Sequence, residues 1–278
     1  MRKAKGERRN AGVTLIELLV VLMILSLILT AAVKTWDVTL ERGRFEQTRQ
    51  KLDKIALAIT GDPNYIVGGV RADFGFIGDM GVLPRSLTDL AVKPDWVSPP
   101  ESSLWRGPYI KGTFAQSPEG YRIDAWGDTI IFHRDSLFLR SYGGGGLVNR
   151  SRWITRSLGY SVKDVLQNKV TGWVYDQFGN PPPDSLLQKS EYRLVVELNY
   201  PRNGVIYRDD YTMTPGSNGR FEFQNVPQGV HRLIVRFWCF VPPPGSCDSV
   251  VKMVTVFPRA GAQDIEVRMN VNWANPSL

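Results

Sequence analysis

Glu17 is a carboxylate inside an otherwise apolar segment. From Val13 to Val33 the sequence contains no other charged residue, and a charged side chain in lipid costs on the order of 3 kcal/mol on insertion scales. Glu17 therefore needs a proton or a positively charged partner. Cleavage after Gly12 would create a free amine on Val13, one helical turn from Glu17. In a helical assembly this amine could pair with Glu17 of a neighbouring subunit. The simpler alternative is an uncleaved anchor that tolerates one acidic residue near the membrane surface.

The two cysteines are the second pair with potential chemistry. Cys239 and Cys247 flank the segment FVPPPGS, so a bond between them would close the tip of a hairpin. In an oxidising exported compartment we expect this disulfide. The alternative is two free thiols.

The remaining titratable residues give no pattern that is typical of an enzyme. The two histidines, His133 and His231, fall in different predicted regions without metal-ligand spacing. No nucleophile elbow is present. We therefore predict no catalytic residue, no cofactor and no metal site.

The N-terminal segment is long enough to position Glu17 in a membrane. The 21 residues from Val13 to Val33 would span roughly 31 Å as a helix, about the thickness of the hydrocarbon layer. The basic residues before them predict a cytoplasmic N-terminus and an exported remainder. With Glu7 included, the first twelve residues carry +4 of the formal +7 charge, so the rest of the chain gives little reason to expect a nucleic-acid partner.

The order Gly12-Val13-Thr14-Leu15-Ile16-Glu17-Leu18 resembles the class III signal of type IV prepilins and type II secretion pseudopilins. The resemblance implies that prepilin peptidase cleaves after Gly12 and methylates Val13, and that Glu17 guides subunit docking. The family more often has phenylalanine at the position of Val13. Other pilin or pseudopilin subunits, assembly platform proteins and the inner membrane are the further implied partners.

After Lys34 an amphipathic pattern predicts that the helix continues to Thr60 and ends at Gly61-Asp62-Pro63. Its apolar stripe consists of Phe45, Leu52, Ile55, Ala56 and Ile59.

Short segments follow this helix. We expect a helix near residues 84–90, capped near Ser86, and an antiparallel meander with a tight turn at Gly127 and Asp128. The three predicted strands of the meander are Tyr121–Ile123, Thr129–His133 and Leu137–Ser141.

Three short motifs in this region are similar to the GPY, DPWG and SxG landmarks of major pseudopilins. They are Gly107-Pro108-Tyr109-Ile110, Asp124-Ala125-Trp126-Gly127-Asp128 and Ser141-Tyr142-Gly143. Members of that family often bind calcium in the loop after the last landmark. Here no acidic residue lies between Asp135 and Asp164, and calcium prefers carboxylate oxygens. We predict that no calcium site of the family type is present.

The loop after the last landmark is basic and contains Tyr142, Trp153 and Tyr160. Such a composition can bind single-stranded nucleic acid. We favour a linker and interface surface instead, because filament assemblies need such contacts.

From Lys169 onward, apolar and polar residues alternate between turn signals, which is typical of a β-sandwich. The seven predicted strands are Val170–Tyr175, Tyr192–Leu198, Val205–Met213, Arg220–Gln224, His231–Phe240, Val250–Phe257 and Ile265–Val271. This region resembles carboxypeptidase regulatory-like domains, which are small transthyretin-like sandwiches. Gly172, Asp176, Gly179 and Pro181 match the opening turn, and Gly219, Phe221, Phe223, Val226, Pro227 and Gly229 match the central hairpin. The resemblance implies a non-catalytic module for stability, protein contact or carbohydrate contact.

These patterns predict an α+β fold with four parts. They are a leader over residues 1–12, a helix over 13–60 that crosses the membrane at 13–33, a pilin-like α+β domain over 61–165 and a β-sandwich over 166–278. The fold begins with a long helix and a small antiparallel sheet, and an all-β sandwich follows.

The resemblance implies a structural subunit of a type II secretion pseudopilus or type IV pilus that supports protein secretion. The expected location is the bacterial inner membrane, with a single pass, a cytoplasmic N-terminus and periplasmic C-terminal domains. One alternative is a filament-tip adhesin or a minor pilin, whose sandwich binds a secreted cargo or a surface ligand. A membrane-anchored enzyme is the least favoured class.

Overall fold

The computed structural model describes residues 14–97, 104–110, 119–240 and 245–274. The chain divides into two compact units, and the second begins at Thr48. This boundary falls within helix α1, Leu15–Thr60, which is 46 residues long. Small sheets and a larger all-β region follow α1. The predicted fold class, α+β with a long N-terminal helix, is confirmed.

The first half of α1 is apolar on all sides. By length and composition it contains a segment that is able to cross a membrane. The large apolar side chains from Leu15 to Leu29 are 48–83% exposed. A helix that is apolar all round is typically buried in a membrane or in a large protein core.

The last turns of α1 bury most of the predicted apolar stripe. Leu52, Ile55, Ala56 and Ile59 are at most 3% exposed, but Phe45 is 45% exposed. Phe45 shares this side of α1 with Leu52, seven residues later, and belongs to the first unit.

The helix ends at Thr60, as predicted. Gly61 has φ +81°, and its N–H donates to the carbonyl of Leu57 over 2.7 Å. A side chain at position 61 would overlap the carbonyl oxygen of Asp73. Glycine is therefore required both by the left-handed backbone and by the close approach of another segment.

Short elements follow α1, and several of them share one hydrophobic core with its last turns. The helices are α2, Gly75–Met80, and α3, Val162–Leu166; 3₁₀ turns cover Leu87–Leu90, Gly120–Arg122 and Arg150–Arg152. A hairpin consists of β1, Ile66–Val67, and β2, Val70–Arg71. An antiparallel three-stranded sheet has the order β3-β4-β5, with β3 at Ile131–His133, β4 at Phe138–Ser141 and β5 at Ile154–Ser157.

The predicted meander is correct for two strands and wrong for one. Tyr121 lies in a 3₁₀ turn, and only a single bridge between Ile123 and Thr129 continues the ladder. The third strand is β5 instead, which pairs with β4. The turn at Gly127 is present, because the N–H of Asp124 donates to the carbonyl of Asp128 over 2.8 Å. The helix predicted after Ser86 is a 3₁₀ turn.

All seven strands predicted for the C-terminal region are present. They are β6, Asn168–Tyr175; β7, Tyr192–Arg202; β8, Val205–Thr212; β9, Arg220–Val226; β10, Gly229–Cys239; β11, Gly245–Val256; and β12, Ala262–Arg268. A short helix, α4, covers Asp184–Leu187 before β7.

These strands form two sheets that share one core. The four-stranded sheet has the order β11-β10-β7-β8, and the three-stranded sheet has the order β12-β6-β9. The inner face of β10 contributes Leu233, Val235 and Phe237 to the core, as the alternation predicts. Ile234, on the opposite face, is also only 5% exposed, since α2 packs against β10 and β7.

The two hydrophobic cores lie within one compact unit and are joined by hydrogen bonds. Gln228, just before β10, is fully buried, and its Nε2 donates to the carbonyls of Thr60 at 2.9 Å and Phe74 at 3.1 Å. The N–H of Gly204 donates to the carbonyl of Met80 over 2.8 Å. The domain boundary between residues 165 and 166 stays a prediction.

A disulfide joins Cys239 and Cys247, and their Cα atoms are 5.7 Å apart. The two residues belong to the neighbouring strands β10 and β11. The expected disulfide is therefore present, at the end of this hairpin.

Reduction of this disulfide should loosen the hairpin end without unfolding the protein. The closed loop is short, so its release should cost about 2 kcal/mol, and Cys239 is only one of the many buried residues that form the core. Hydrogen exchange with and without reductant should show lost protection only near Cys239 and Cys247. A Cys239→Ser/Cys247→Ser variant should be insensitive to reductant, and global melting on reduction would contradict the prediction.

Candidate functional site

Glu17 lies in the first turn of α1, among exposed apolar side chains. Its N–H donates to the hydroxyl oxygen of Thr14 over 3.3 Å. Within the described part of the chain, no cationic side chain pairs with its carboxylate. Gly12 and Val13, the predicted cleavage and methylation positions, lie outside the described residues.

Asp124 is the centre of a buried hydrogen-bond network formed by two of the landmark motifs. Asp124 is 5% exposed. One oxygen of its carboxylate accepts the N–H groups of Trp126 and Asp128, both at 2.9 Å. The hydroxyl of Ser141 donates to the other oxygen at 2.5 Å, and Ser141 in turn accepts the N–H of Gly143 at 3.0 Å. The carboxylate is occupied by protein donors, which indicates a structural role.

Two residues of α1 hold this loop. Lys51 is 8% exposed, and its Nζ donates to the carbonyls of Gly120 at 2.8 Å and Ile123 at 2.6 Å. Burial lowers the pKa of Lys51, and the nearby charge of Asp124 opposes this effect. The hydroxyl of Thr48 accepts the N–H of Ala125 at 3.1 Å. Sequence reasoning missed both residues, although their spacing to Leu52 and Ile55 places them on the buried face.

The first landmark motif makes different contacts. The N–H of Tyr109 donates to the carbonyl of Leu90 over 2.8 Å, and its hydroxyl donates to Asp79 of α2 over 2.7 Å. Burial raises the pKa of Asp79, and the Tyr109 hydrogen bond partly offsets the rise. Burial beside this carboxylate also raises the pKa of Tyr109. Tyr109 thus ties its loop to α2.

The loop after Ser141 is held by an arginine. Nε of Arg152 donates to the carbonyl of Gly143 at 2.8 Å, and the carboxylate of Asp128 accepts the N–H of Gly144 at 3.2 Å. Among the described residues, no group of three or more His, Cys, Asp or Glu side chains is placed to bind a metal ion. The absence of a calcium site stays a prediction from the sequence.

The aromatic residues of the basic stretch stack against the chain's own arginines. The guanidinium of Arg140 lies 4.5 Å from the ring centre of Trp153 and 5.0 Å from that of Phe138. Tyr142 packs edge-on against Trp153, whose indole N–H donates to the carbonyl of Gly146 at 2.9 Å. These contacts make the loop part of the fold.

The two histidines are strand residues with separate surroundings. His133 stacks on Phe138, with ring centres 4.2 Å apart, and burial lowers its pKa. His231 is 1% exposed, and its Nε2 lies 2.7 Å from the carbonyl of Pro227. Burial lowers the pKa of His231 to about 4. His231 is therefore uncharged at neutral pH and serves as a packing residue.

The N-terminal segment matches a known family. Residues 8–33 match the prokaryotic N-terminal methylation motif. The chain carries a prepilin-type motif. This motif implies processing by prepilin peptidase and assembly with other pilin subunits. Together with the apolar α1 segment, it fits a membrane-anchored subunit of the pilin or pseudopilin type.

Comparisons over the remainder of the chain give little further information. No curated protein matches the chain. Among solved structures, the chain is similar to one from Pseudomonas aeruginosa that is provisionally described as a carbohydrate-binding protein. The two share 15% identity over 38% of this chain and 90% of that chain, with a TM-score of 0.23. A likeness at this level gives no basis for assigning a function to the C-terminal region.

Proposed function

We propose that the chain is a structural subunit of a type II secretion pseudopilus or a type IV pilus. Prepilin peptidase cleaves it after Gly12, and the mature chain enters the filament through α1 from the inner membrane. Its C-terminal domains lie in the periplasm, and the filament supports protein secretion. The role is mechanical, so no residue is assigned to catalysis.

The prepilin-type motif at residues 8–33 is the observation that carries this proposal. The exposed carboxylate of Glu17 and the exposed apolar surface around it support the same conclusion. Both features need partners, and identical helices packed side by side would supply them. An amine on Val13 would neutralise Glu17 of the neighbouring subunit in a low-dielectric core.

Processing should depend on the peptidase and on Gly12. Protein extracted from membranes should begin at Val13, with or without an added methyl group, by intact-mass and N-terminal peptide analysis. The same protein from cells without prepilin peptidase should keep its leader. A leader retained in both strains would leave only an uncleaved anchor and would contradict the proposal.

Glu17→Gln provides the matched variant for the assembly step. It should be cleaved as the unmodified chain is, because the cleavage position is intact. Its recovery in sheared filament fractions should fall at least about tenfold, since an amine without an anionic partner is costly in a water-poor core. Normal incorporation of this variant would contradict a docking role for Glu17.

A minor, tip-located subunit is the second candidate. The all-β region from Asn168 to Arg268 is easier to place at a filament end than at every position of a thin filament. In this case the sandwich would be an adhesin or would bind secreted cargo. Quantitative proteomics of purified filaments distinguishes the two, because a tip subunit is rare and a major subunit is abundant.

A further inference from the structure

Two asparagine–glycine pairs occur in the chain, Asn203-Gly204 and Asn218-Gly219. The first lies in the turn between β7 and β8, and the second lies in the turn before β9. The asparagines have φ +53° and +49°, and the glycines have φ +80° and +74°. Positive φ at both central residues is typical of type I′ turns, in which asparagine followed by glycine is the favoured pair.

The turn at Asn218 requires the glycine that follows it. A side chain on Gly219 would overlap the carbonyl oxygen of Val174, and the N–H of Val174 donates to the carbonyl of Gly219 over 2.8 Å. The N–H of Arg220 donates to the carbonyl of Ser217 over 2.9 Å and closes the turn. Asparagine adopts a left-handed φ more readily than most other residues. The needs of the turn therefore place an asparagine amide next to a glycine nitrogen.

An asparagine that precedes a glycine can modify itself without an enzyme. The backbone nitrogen of the glycine loses its proton to a base in the solvent and attacks the side-chain carbonyl carbon of the asparagine. A C–N bond forms, the side-chain amino group takes up a proton and leaves as ammonia, and a cyclic imide results. Water then opens either carbonyl of the imide and gives aspartate or isoaspartate. Glycine favours the attack because it has no Cβ in the way.

The two turns differ in the hydrogen bonding of the attacking nitrogen. The N–H of Gly204 donates to the carbonyl of Met80 over 2.8 Å. A Cβ on Gly204 would lie 3.1–3.4 Å from atoms of Trp96, Met80 and Val97, so this turn is also closely packed. In the part of the chain that the structure describes, the N–H of Gly219 donates to no acceptor. The nitrogen of Gly219 is therefore available without the loss of such a bond.

Exposure and side-chain contacts do not separate the two turns. Both asparagines are exposed, and both glycines are buried. Neither asparagine side chain makes a hydrogen bond to another described residue. In each turn the attack requires the asparagine to leave its left-handed conformation, but at Asn203 the bond from Gly204 to Met80 must also break. This additional bond is the difference that decides between the two sites.

We propose that Asn218 is a site of spontaneous deamidation in the folded protein, and that the hydrogen bond from Gly204 to Met80 protects Asn203 from the same reaction. The reaction consumes one water molecule and releases ammonia. It needs no other subunit, so it does not depend on processing at Gly12 or on filament assembly.

Deamidation at Asn218 changes both the charge and the backbone of the turn. Either product carries a negative charge two residues before Arg220, which is exposed. Isoaspartate also places an additional carbon atom in the main chain. The longer turn weakens the hydrogen bond from Val174 to Gly219, which joins the turn to β6.

Peptide mass spectrometry of the full-length chain tests this inference, after incubation of the folded protein in micelles in a slightly alkaline buffer. Trypsin separates the two sites, because it cleaves after Arg202, Arg208 and Arg220. The peptide with Asn218 should exchange an amino group for a hydroxyl group at least about fivefold faster than the peptide with Asn203, since one hydrogen bond fewer must break. Electron-transfer fragmentation then identifies aspartate and isoaspartate at this position.

Asn218→Gln should abolish the modification at this position on the same timescale, because glutamine forms the larger cyclic imide more slowly. The chain unfolded in urea is the matched control, since the bond from Gly204 to Met80 is absent there. Its two peptides should react at rates that agree within about twofold. The same agreement in the folded chain would overturn the inference, because the bond to Met80 would then give no protection. An unmodified Asn218 in the folded chain, after a time in which the unfolded chain reacts, would also overturn it.

Discussion

Replacing Asp124 with alanine should lower the free energy of unfolding by about 3–4 kcal/mol. The change removes an acceptor for three hydrogen bonds, from Trp126, Asp128 and Ser141. It also removes the negative charge near the buried ammonium group of Lys51. Urea titrations of the micelle-bound chain, followed by circular dichroism, measure the loss.

Asp128→Ala is the control for Asp124→Ala, because the Asp128 carboxylate accepts the N–H of Gly144 at an exposed position. It should cost less than about 1 kcal/mol. Asp124→Asn keeps an acceptor oxygen without the charge, so its cost should fall between the two. If Asp124→Ala were no more costly than Asp128→Ala, the network would not stabilise the fold as described.

Elements specified by local sequence were predictable. The seven strands of the C-terminal region follow the alternation of apolar and polar residues, and Leu233, Val235 and Phe237 point to the core as expected. The end of α1 at Gly61 follows from a glycine that takes a left-handed conformation.

Features that depend on distant partners were not predictable. The acceptors of Lys51 are 69 and 72 residues away, and Gln228 reaches Thr60 across 168 positions. From the sequence alone, Lys51 is expected to be a solvated charged side chain, because the carbonyls that it contacts are not known at that stage. For the same reason β5 was missed, since its place is set by pairing with β4, and Tyr121 was assigned to a strand although it lies in a 3₁₀ turn.

The candidate assembly site, in contrast to these features, was predictable from the local sequence. Glu17 was recognisable from one charge in an apolar run, without any tertiary contact. Glu17 is exposed in the monomer, which agrees with the proposal that an amine of another subunit neutralises it. The roles of Gly12, Val13 and Glu17 therefore stay predictions until processing and assembly are measured.

Gly81→Ala should cost at least about 3 kcal/mol and weaken the junction between the two hydrophobic cores. Gly81 ends α2 with φ +62°, and its N–H donates to the carbonyl of Ile77 over 2.8 Å. A Cβ at this position would overlap the backbone carbonyl of Pro201 on β7. The alanine must therefore push α2 away from β7, which would also strain the hydrogen bond from Gly204 to Met80.

Gly68→Ala separates the two causes of the stability loss expected for Gly81→Ala, which are backbone strain and the overlap with the carbonyl of Pro201. Gly68 has nearly the same φ, +61°, but a Cβ there would meet no atom within 4 Å. It should cost only the left-handed strain, about 1 kcal/mol. Hydrogen exchange should show lost protection in α2 and at the β7–β8 turn for Gly81→Ala, and no change there for Gly68→Ala. Equal costs for the two variants would show that backbone strain alone is responsible, and that the close approach of α2 to β7 does not hold the two cores together.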